Sequence, residues 1–152
     1  MSSVHPLDQP VCSALTGRQS DLSLAQGSAL RFAPDYGLFA ATPDTSDPSI
    51  ADLAVLIAAH GDIALVEAQA PPPIPGVAVR SSALCWQMVA QEPNPVGEPA
   101  FAIEDLTEAD APQMLALATL TAPGPFFART HQLGRFVGVK VGGQLVAMAG
   151  ER

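Results

Sequence analysis

The four side chains that the sequence offers as candidates for chemistry all lie near its C-terminal end. Glu151 is the candidate catalytic residue, because a carboxylate there can accept a proton directly or through a water molecule. The alternative is a solvated strand-end glutamate, or one paired with Arg152. Phe126, Phe127 and Arg129 share one loop and are the candidate substrate-binding residues. Their rings suit the body of a substrate and the guanidinium suits a carboxylate. Equally, the rings pack in a core and the arginine lies on the surface.

Other common catalytic arrangements find no support in the sequence. The three histidines are scattered along the chain, and no Gly-x-Ser-x-Gly turn accompanies them, so a Ser/His/Asp site is not predicted. Cys12 and Cys85 are far apart and show no metal-ligand spacing, so we predict neither a metal site nor a disulfide framework. His131 is predicted to be a surface or helix-end residue rather than an acid or base.

The charge of the chain is negative overall and unevenly distributed. The formal net charge is −8, while all four bases of residues 99–152 lie from Arg129 onward. No basic stripe is present, so nucleic-acid binding is not expected. The local excess of bases favours an anionic ligand or an ordinary solvated surface. No basic leader with an apolar stretch and no apolar run of roughly 18 residues is seen, so we expect a cytoplasmic protein without membrane contact.

Hydrophobic spacing and turn residues predict several elements in the first half of the chain. Residues 47–60 have the helical period, with Asp47 as cap, Pro48 in the first turn and Gly61 as exit. A short helix is expected to start after Asp8 and a hairpin is expected over residues 20–32. Strands are predicted over residues 62–67 and then through Leu84, Trp86 and Met88, which we expect to form a buried sheet face.

A proline-rich stretch over residues 91–99 predicts a semi-rigid linker between two modules. The second module begins with an alternating strand at residues 101–106 and a helix capped by Thr107 or Asp110. It continues through an aromatic loop into a hairpin with Gly142-Gly143 at its turn. The predicted fold class is therefore α+β, with one domain over residues 1–98 and a second over residues 99–152.

Three sequence segments of the second module resemble the N-terminal part of the core in the GNAT superfamily of N-acetyltransferases. They are Ile103-Glu104-Asp105-Leu106-Thr107-Glu108-Ala109-Asp110-Ala111, the loop Gly124-Pro125-Phe126-Phe127-Ala128-Arg129-Thr130, and Phe136-Val137-Gly138-Val139-Lys140-Val141-Gly142-Gly143-Gln144-Leu145-Val146-Ala147-Met148-Ala149-Gly150-Glu151-Arg152. The loop is similar to that of bacterial two-domain members, which carry a divergent N-terminal half. The ordered set covers residues 101–152 well and residues 1–98 only through length and placement.

This resemblance implies an acetyl-CoA-dependent transfer of an acetyl group to an acceptor amine, with Glu151 as the proton acceptor. It also implies a later Arg/Gln-x-x-Gly-x-Gly/Ala turn that holds the cofactor pyrophosphate, and the sequence contains no such turn. Gly134 to Gly138 has the wrong spacing, and Gly142-Gly143 joins two strands. We therefore expect this chain alone to be inactive. The alternative is a non-catalytic binding module that self-associates, or recruits a complementing chain, through the edge strand at residues 144–149.

Overall fold

A computed structural model describes residues 5–92, 94–95 and 97–151 of the chain. It is of the α+β class, with two three-stranded antiparallel sheets and three α-helices. The elements run in the order α1 (Pro10–Thr16), β1 (Ser23–Gln26), β2 (Ala29–Phe32), β3 (Ala40–Ala41), α2 (Asp47–His60), β4 (Glu104–Asp105), α3 (Ala111–Thr121), β5 (Phe136–Val141) and β6 (Gln144–Gly150). Within the described residues, no helix is long and apolar enough to cross a bilayer.

The N-terminal sheet has the strand order β1-β2-β3 and is covered on both faces. Phe32 packs with Val11 and Leu15 of α1, while Ala29 packs with Leu53 and Leu56 of α2. This division follows from the alternation of side chains along β2. All four residues of β2 are buried or half-buried, so this region has a two-sided core.

The helix predicted over residues 47–60 is present with those bounds, although Ser46 rather than Asp47 is its cap residue. Gly61 takes a left-handed conformation with φ of 81°, which glycine adopts without steric cost. The predicted hairpin forms with Gly27 at its turn. The predicted strand at residues 62–67 is reduced to a single parallel bridge between Ala64 and Phe39.

The expected buried strand through Leu84, Trp86 and Met88 was wrong. These residues are in no helix or strand, and the side chain of Trp86 is 91% exposed. Alternating apolar residues specify a strand only where a neighbouring strand accepts the backbone hydrogen bonds. Within the described part of the chain, no backbone–backbone hydrogen bond reaches residues 78–92, so no such neighbour is present there.

The C-terminal sheet has the strand order β4-β5-β6 and carries α3 on one face. Met114 of α3, Phe136 of β5 and Leu145 of β6 form its buried core. Asp110 precedes α3, and Pro112 lies in the first turn. The second helix-like element of this module is one 3-10 turn, Thr130–Gln132. Lys140 pairs with Asp110 at 2.7 Å, which ties β5 to the start of α3.

Candidate functional site

An open cleft of about 430 Å³ lies where the N-terminal region meets the start of β5 and the end of β6. One wall comes from the segment after α1, and the other comes from the loop before β5 together with Glu151. The lining residues are Arg18, Gln19, Asp21, Leu22, Gln132, Leu133, Gly134, Arg135 and Glu151. Both halves of the chain therefore contribute to the cleft.

Glu151 follows the last residue of β6 and points its carboxylate into this cleft. Its backbone N–H donates to the carbonyl of Arg135 over 3.1 Å, so strand pairing extends to this residue. Its Oε2 atom lies 2.6 Å from Nη2 of Arg18, and the two side chains are 60% and 76% exposed. The sequence suggested Arg152 as a partner, but that residue lies outside the described part of the chain. The observed partner is 133 positions away.

Gly134 allows Glu151 to sit this close to the loop before β5. A Cβ atom at Gly134 would lie 2.5 Å from the Cβ of Glu151, which is too close for two non-bonded carbon atoms. Gly150 has a related role, because it faces the ring of Phe136 across the strand pair and leaves no room for a side chain. Two glycines therefore position the carboxylate.

Arg135 provides a second guanidinium at the cleft. Its Nε donates to Oδ1 of Asp105 over 2.7 Å, at the edge where β4 pairs with β5. This hydrogen bond holds the pKa of Asp105 below its usual value and raises the pKa of Arg135. Neither Arg18 nor Arg135 is predicted from the sequence as a site residue. The excess of bases after Arg129 was the only signal that pointed to Arg135.

The three predicted substrate-binding residues lie outside the lining of this cleft. Phe126 is half-buried and meets Phe136 edge to face, with ring centroids 5.9 Å apart. Phe127 is also half-buried, and its backbone N–H donates to the hydroxyl of Thr130 over 2.7 Å. Arg129 lies over the ring of Tyr36 at 4.6 Å. The structure thus places these residues beside the cleft wall and does not bring them to Glu151.

The loop that carries the second wall is fastened to the N-terminal region. The hydroxyl of Thr130 is buried and donates to the carbonyl of Tyr36 over 2.8 Å. The side chain of Leu133 is buried with Leu15 and Phe32 in the N-terminal core. Its carbonyl also accepts a hydrogen bond of 2.6 Å from Gln19. These contacts fix the separation of the two walls.

The sequence predicted His131 to be a surface or helix-end residue, and the structure places it at a helix end, in the 3-10 turn Thr130–Gln132. Its side chain is 7% exposed, and Nε2 lies 2.8 Å from Oε2 of Glu108. This hydrogen bond lowers the pKa of Glu108. The buried Nδ1 has no hydrogen-bond partner among the described residues. His131 does not line the cleft, so its contact with Glu108 holds the loop against the start of α3.

The described residues do not fit the pyrophosphate of acetyl-CoA. A diphosphate binds where backbone N–H groups of a glycine-rich turn open a helix. Gly142 and Gly143 both have positive φ angles, but their turn joins β5 to β6. The starts of the two longer helices carry carboxylates: Asp44 and Asp47 at α2, Glu108 and Asp110 at α3. Carboxylates at these positions repel an anionic ligand.

Comparisons with known proteins agree with the sequence resemblance. No protein-family model matches the chain. No curated protein matches it. Among solved structures, the chain is similar to one described as "Putative Acetyltransferase from the GNAT family", from Novosphingobium aromaticivorans, with 40% sequence identity and a TM-score of 0.80. The match covers 98% of this chain and 65% of that chain.

This likeness confirms the predicted resemblance to the GNAT family. With 40% identity and 98% of this chain covered, the chain is similar to that protein in its first half as well as in residues 101–152. The first half was matched only loosely from its sequence. The chain spans about two thirds of the length of that relative.

Proposed function

We propose that this chain forms the N-terminal region and the first part of the core of a GNAT-type acetyltransferase. The reaction would move an acetyl group from acetyl-CoA to an acceptor amine. The observation that supports this most directly is the 40% identity, over 98% of the chain, to a protein described as a member of that family. We retain the division into residues 1–98 and 99–152, the strand-helix-helix-strand-strand order of a GNAT core, and a cytoplasmic location as parts of this proposal.

The cleft is proposed as part of the acceptor side. Transfer of an acyl group to an amine releases a proton, and Glu151 would accept it directly or through water. The carboxylate is 60% exposed and already pairs with a cation, Arg18, so an incoming ammonium group can take the place of that guanidinium. Arg135 would attract an anionic group on the acceptor. Phe126, Phe127 and Arg129 would bear on the acceptor indirectly, by shaping the wall.

The cofactor grip is proposed to lie outside these residues, because the described chain offers no cradle for a diphosphate. We therefore expect the 152-residue polypeptide to show neither saturable binding of acetyl-CoA nor acetyl transfer. Calorimetric titration with acetyl-CoA, followed by a thiol-release assay with a panel of amines, tests both expectations. The full-length Novosphingobium protein is the positive control. Saturable binding to a monomer of this chain would overturn this part of the proposal.

The role of Glu151 can be tested in a protein that is able to bind acetyl-CoA. In a protein that joins this chain to the residues of the Novosphingobium relative that it does not match, Glu151→Gln should lower kcat by about 10²–10⁴-fold. Arg18→Gln is the matched control, because it breaks the same ion pair and keeps the carboxylate. Its kcat should stay close to that of the parent. Equal losses in both variants would assign the pair a structural role.

A second candidate function rests on the free edge of β6. Residues Gln144–Gly150 pair with β5 on one side, carry no charged side chain, and have no strand on the other side within the described residues. Such an edge accepts a strand from a partner. Sedimentation at micromolar concentration tests this function. A tight dimer would favour an interaction module, and a monomer would count against one.

A further inference from the structure

The segment at residues 79–90, here called the apolar arm, is exposed along its whole length. Leu84, Trp86 and Met88 are 96%, 91% and 95% exposed, and Val89 is 75% exposed. Soluble proteins rarely expose so many large apolar side chains in one stretch, and contiguous patches of this kind mark interaction sites. Exposure of this extent is typical of a segment that another polypeptide covers.

The described chain supplies no partner strand for the arm, but the sequence pattern of the arm is typical of a strand that has one. Leu84, Trp86 and Met88 would point to one side of an extended chain, and Cys85, Gln87 and Val89 to the other. A strand with apolar residues on both sides belongs in the interior of a sheet, with layers above and below it. The arm's contacts within the described chain are instead polar. Arg80 pairs with Asp62 at 2.9 Å, and the side chain of Gln87 donates to the carbonyl of Leu7.

The comparison with the Novosphingobium protein indicates what covers the arm. That match includes 98% of this chain, so a segment as long as the arm has a counterpart in the relative. This chain spans only 65% of the relative, so about a third of that polypeptide is available to pack on the counterpart. A second copy of this chain fits less well, because the β6 edge would pair with one side of the arm and leave its faces uncovered.

We propose that the apolar arm is an interior β-strand of a sheet completed by the part of a GNAT-type acetyltransferase that this chain does not span. The arm would then join the two parts of such a protein into one core. Assembly of that core does not require Glu151 or any catalytic step. The arm proposal and the catalytic proposal can therefore fail separately.

Trp86 is the single tryptophan and Cys85 is one of two cysteines, so the arm carries its own probes. In the chain alone, we expect Trp86 to fluoresce like a solvated indole and Cys85 to react with a thiol reagent faster than the half-buried Cys12. The probe partner is the polypeptide of the Novosphingobium protein that this chain does not match. On mixing or co-expression, Trp86 emission should move to shorter wavelength and Cys85 labelling should slow by about tenfold or more, since reaction then requires local opening.

Met88→Asp should abolish both changes, because it places a charge on the apolar side of the arm. It should leave the chain's own unfolding transition unchanged, because Met88 is 95% exposed. Gln91→Asp adds the same charge just beyond the arm and should behave as wild type. No change in Trp86 or Cys85 with either mixing or co-expression overturns the proposal. Protection of both probes in the chain alone also overturns it: a monomer would show the arm folding back, and a dimer would show a second copy as occupant.

Discussion

The two sheets of this molecule differ in how completely they are covered. The N-terminal sheet lies between α1 and α2, and its central strand β2 is buried or half-buried at every residue. The C-terminal sheet has longer strands, but α3 covers one face only. On the other face, Val141 is 66% exposed and Val146 is 48% exposed. Strand length is thus not what makes a core, because the shorter strands form the better buried sheet.

The loop before β5 packs the C-terminal module against the N-terminal region. Leu133 belongs to the C-terminal module, but its side chain packs in the N-terminal core. The hydroxyl of Thr130 donates to the carbonyl of Tyr36. The less covered module therefore takes part of its burial from the better covered region. The following predictions test how strongly the second sheet depends on the first.

Truncation of Leu133 should have the largest effect. Leu133→Ala leaves a cavity in the N-terminal core and should lower the free energy of unfolding by about 2–5 kcal/mol. Leu120→Ala is the control, because Leu120 is on the same module but 83% exposed, and it should stay within about 0.5 kcal/mol. Chemical denaturation followed by circular dichroism measures both. Similar values for the two variants would show that the modules fold independently.

A smaller effect is expected for the buried arginine of the N-terminal sheet. Arg31 is 2% exposed and donates to the carbonyls of Phe32, His60 and Gly61, which closes the end of α2. Burial lowers the pKa of its guanidinium. Arg31→Met should lower the free energy of unfolding by about 1–3 kcal/mol, because the buried carbonyl of Phe32 and the two carbonyls at the end of α2 lose their donor.

The matched control for this change is Arg80→Met. Arg80 is 84% exposed, and its pair with Asp62 is a surface pair, so the variant should stay within about 0.5 kcal/mol of wild type. Both proteins are compared by denaturant titration. An Arg31→Met variant as stable as the Arg80→Met variant would mean that relief from burying the guanidinium offsets the lost hydrogen bonds.

The smallest effect is a pH dependence in the C-terminal module. The hydrogen bond from Lys140 is the main cause of the lowered pKa of Asp110, and it raises the pKa of Lys140. The ionised Asp110 stabilises the fold above its unfolded pKa, and this stability is lost as pH falls through the lower folded value. Lys140 stabilises the fold below its unfolded pKa, and this is lost as pH rises through its raised folded value.

Unfolding measured from acid to alkaline pH checks this pair. Asp110→Asn should flatten the loss of stability at both ends of the range relative to wild type. Asp62→Asn removes an exposed carboxylate of the other region and serves as the control. A wild-type profile that is unchanged by Asp110→Asn would show that other carboxylates set the acid response.

The elements that were predicted well depend on neighbours in sequence. The helix at residues 47–60 is defined by Pro48 and Gly61, and the hairpin of β5 and β6 by Gly142-Gly143, all of which act within a few residues. The predicted strands that failed needed a partner strand. Residues 101–106, for example, form a strand only at Glu104–Asp105, where β5 supplies the hydrogen bonds.

The candidate site was less accessible to prediction for the same reason. The residue type and position of Glu151 predict a catalytic carboxylate. Its contact with Arg18 could not be predicted in the same way, because the two residues are 133 positions apart in the sequence. Gly134 leaves room for Glu151 to lie close to the loop before β5, and the residues next to Gly134 in sequence do not indicate this role. The composition of the loop, with two aromatic rings and a guanidinium, predicts substrate contacts at Phe126, Phe127 and Arg129. These roles stay predictions.

The insertion of Leu133 has a consequence for any attempt to divide this molecule. A cut within the proline-rich stretch at residues 91–99 would separate the pieces in sequence without separating their packing. The N-terminal fragment would have a cavity beside Phe32 where Leu133 packs. The C-terminal fragment would expose Leu133, and the hydroxyl of Thr130 would lose its acceptor, the carbonyl of Tyr36. For separate expression, the C-terminal fragment would need a polar residue at position 133. The N-terminal fragment would need an apolar side chain that fills the cavity beside Phe32.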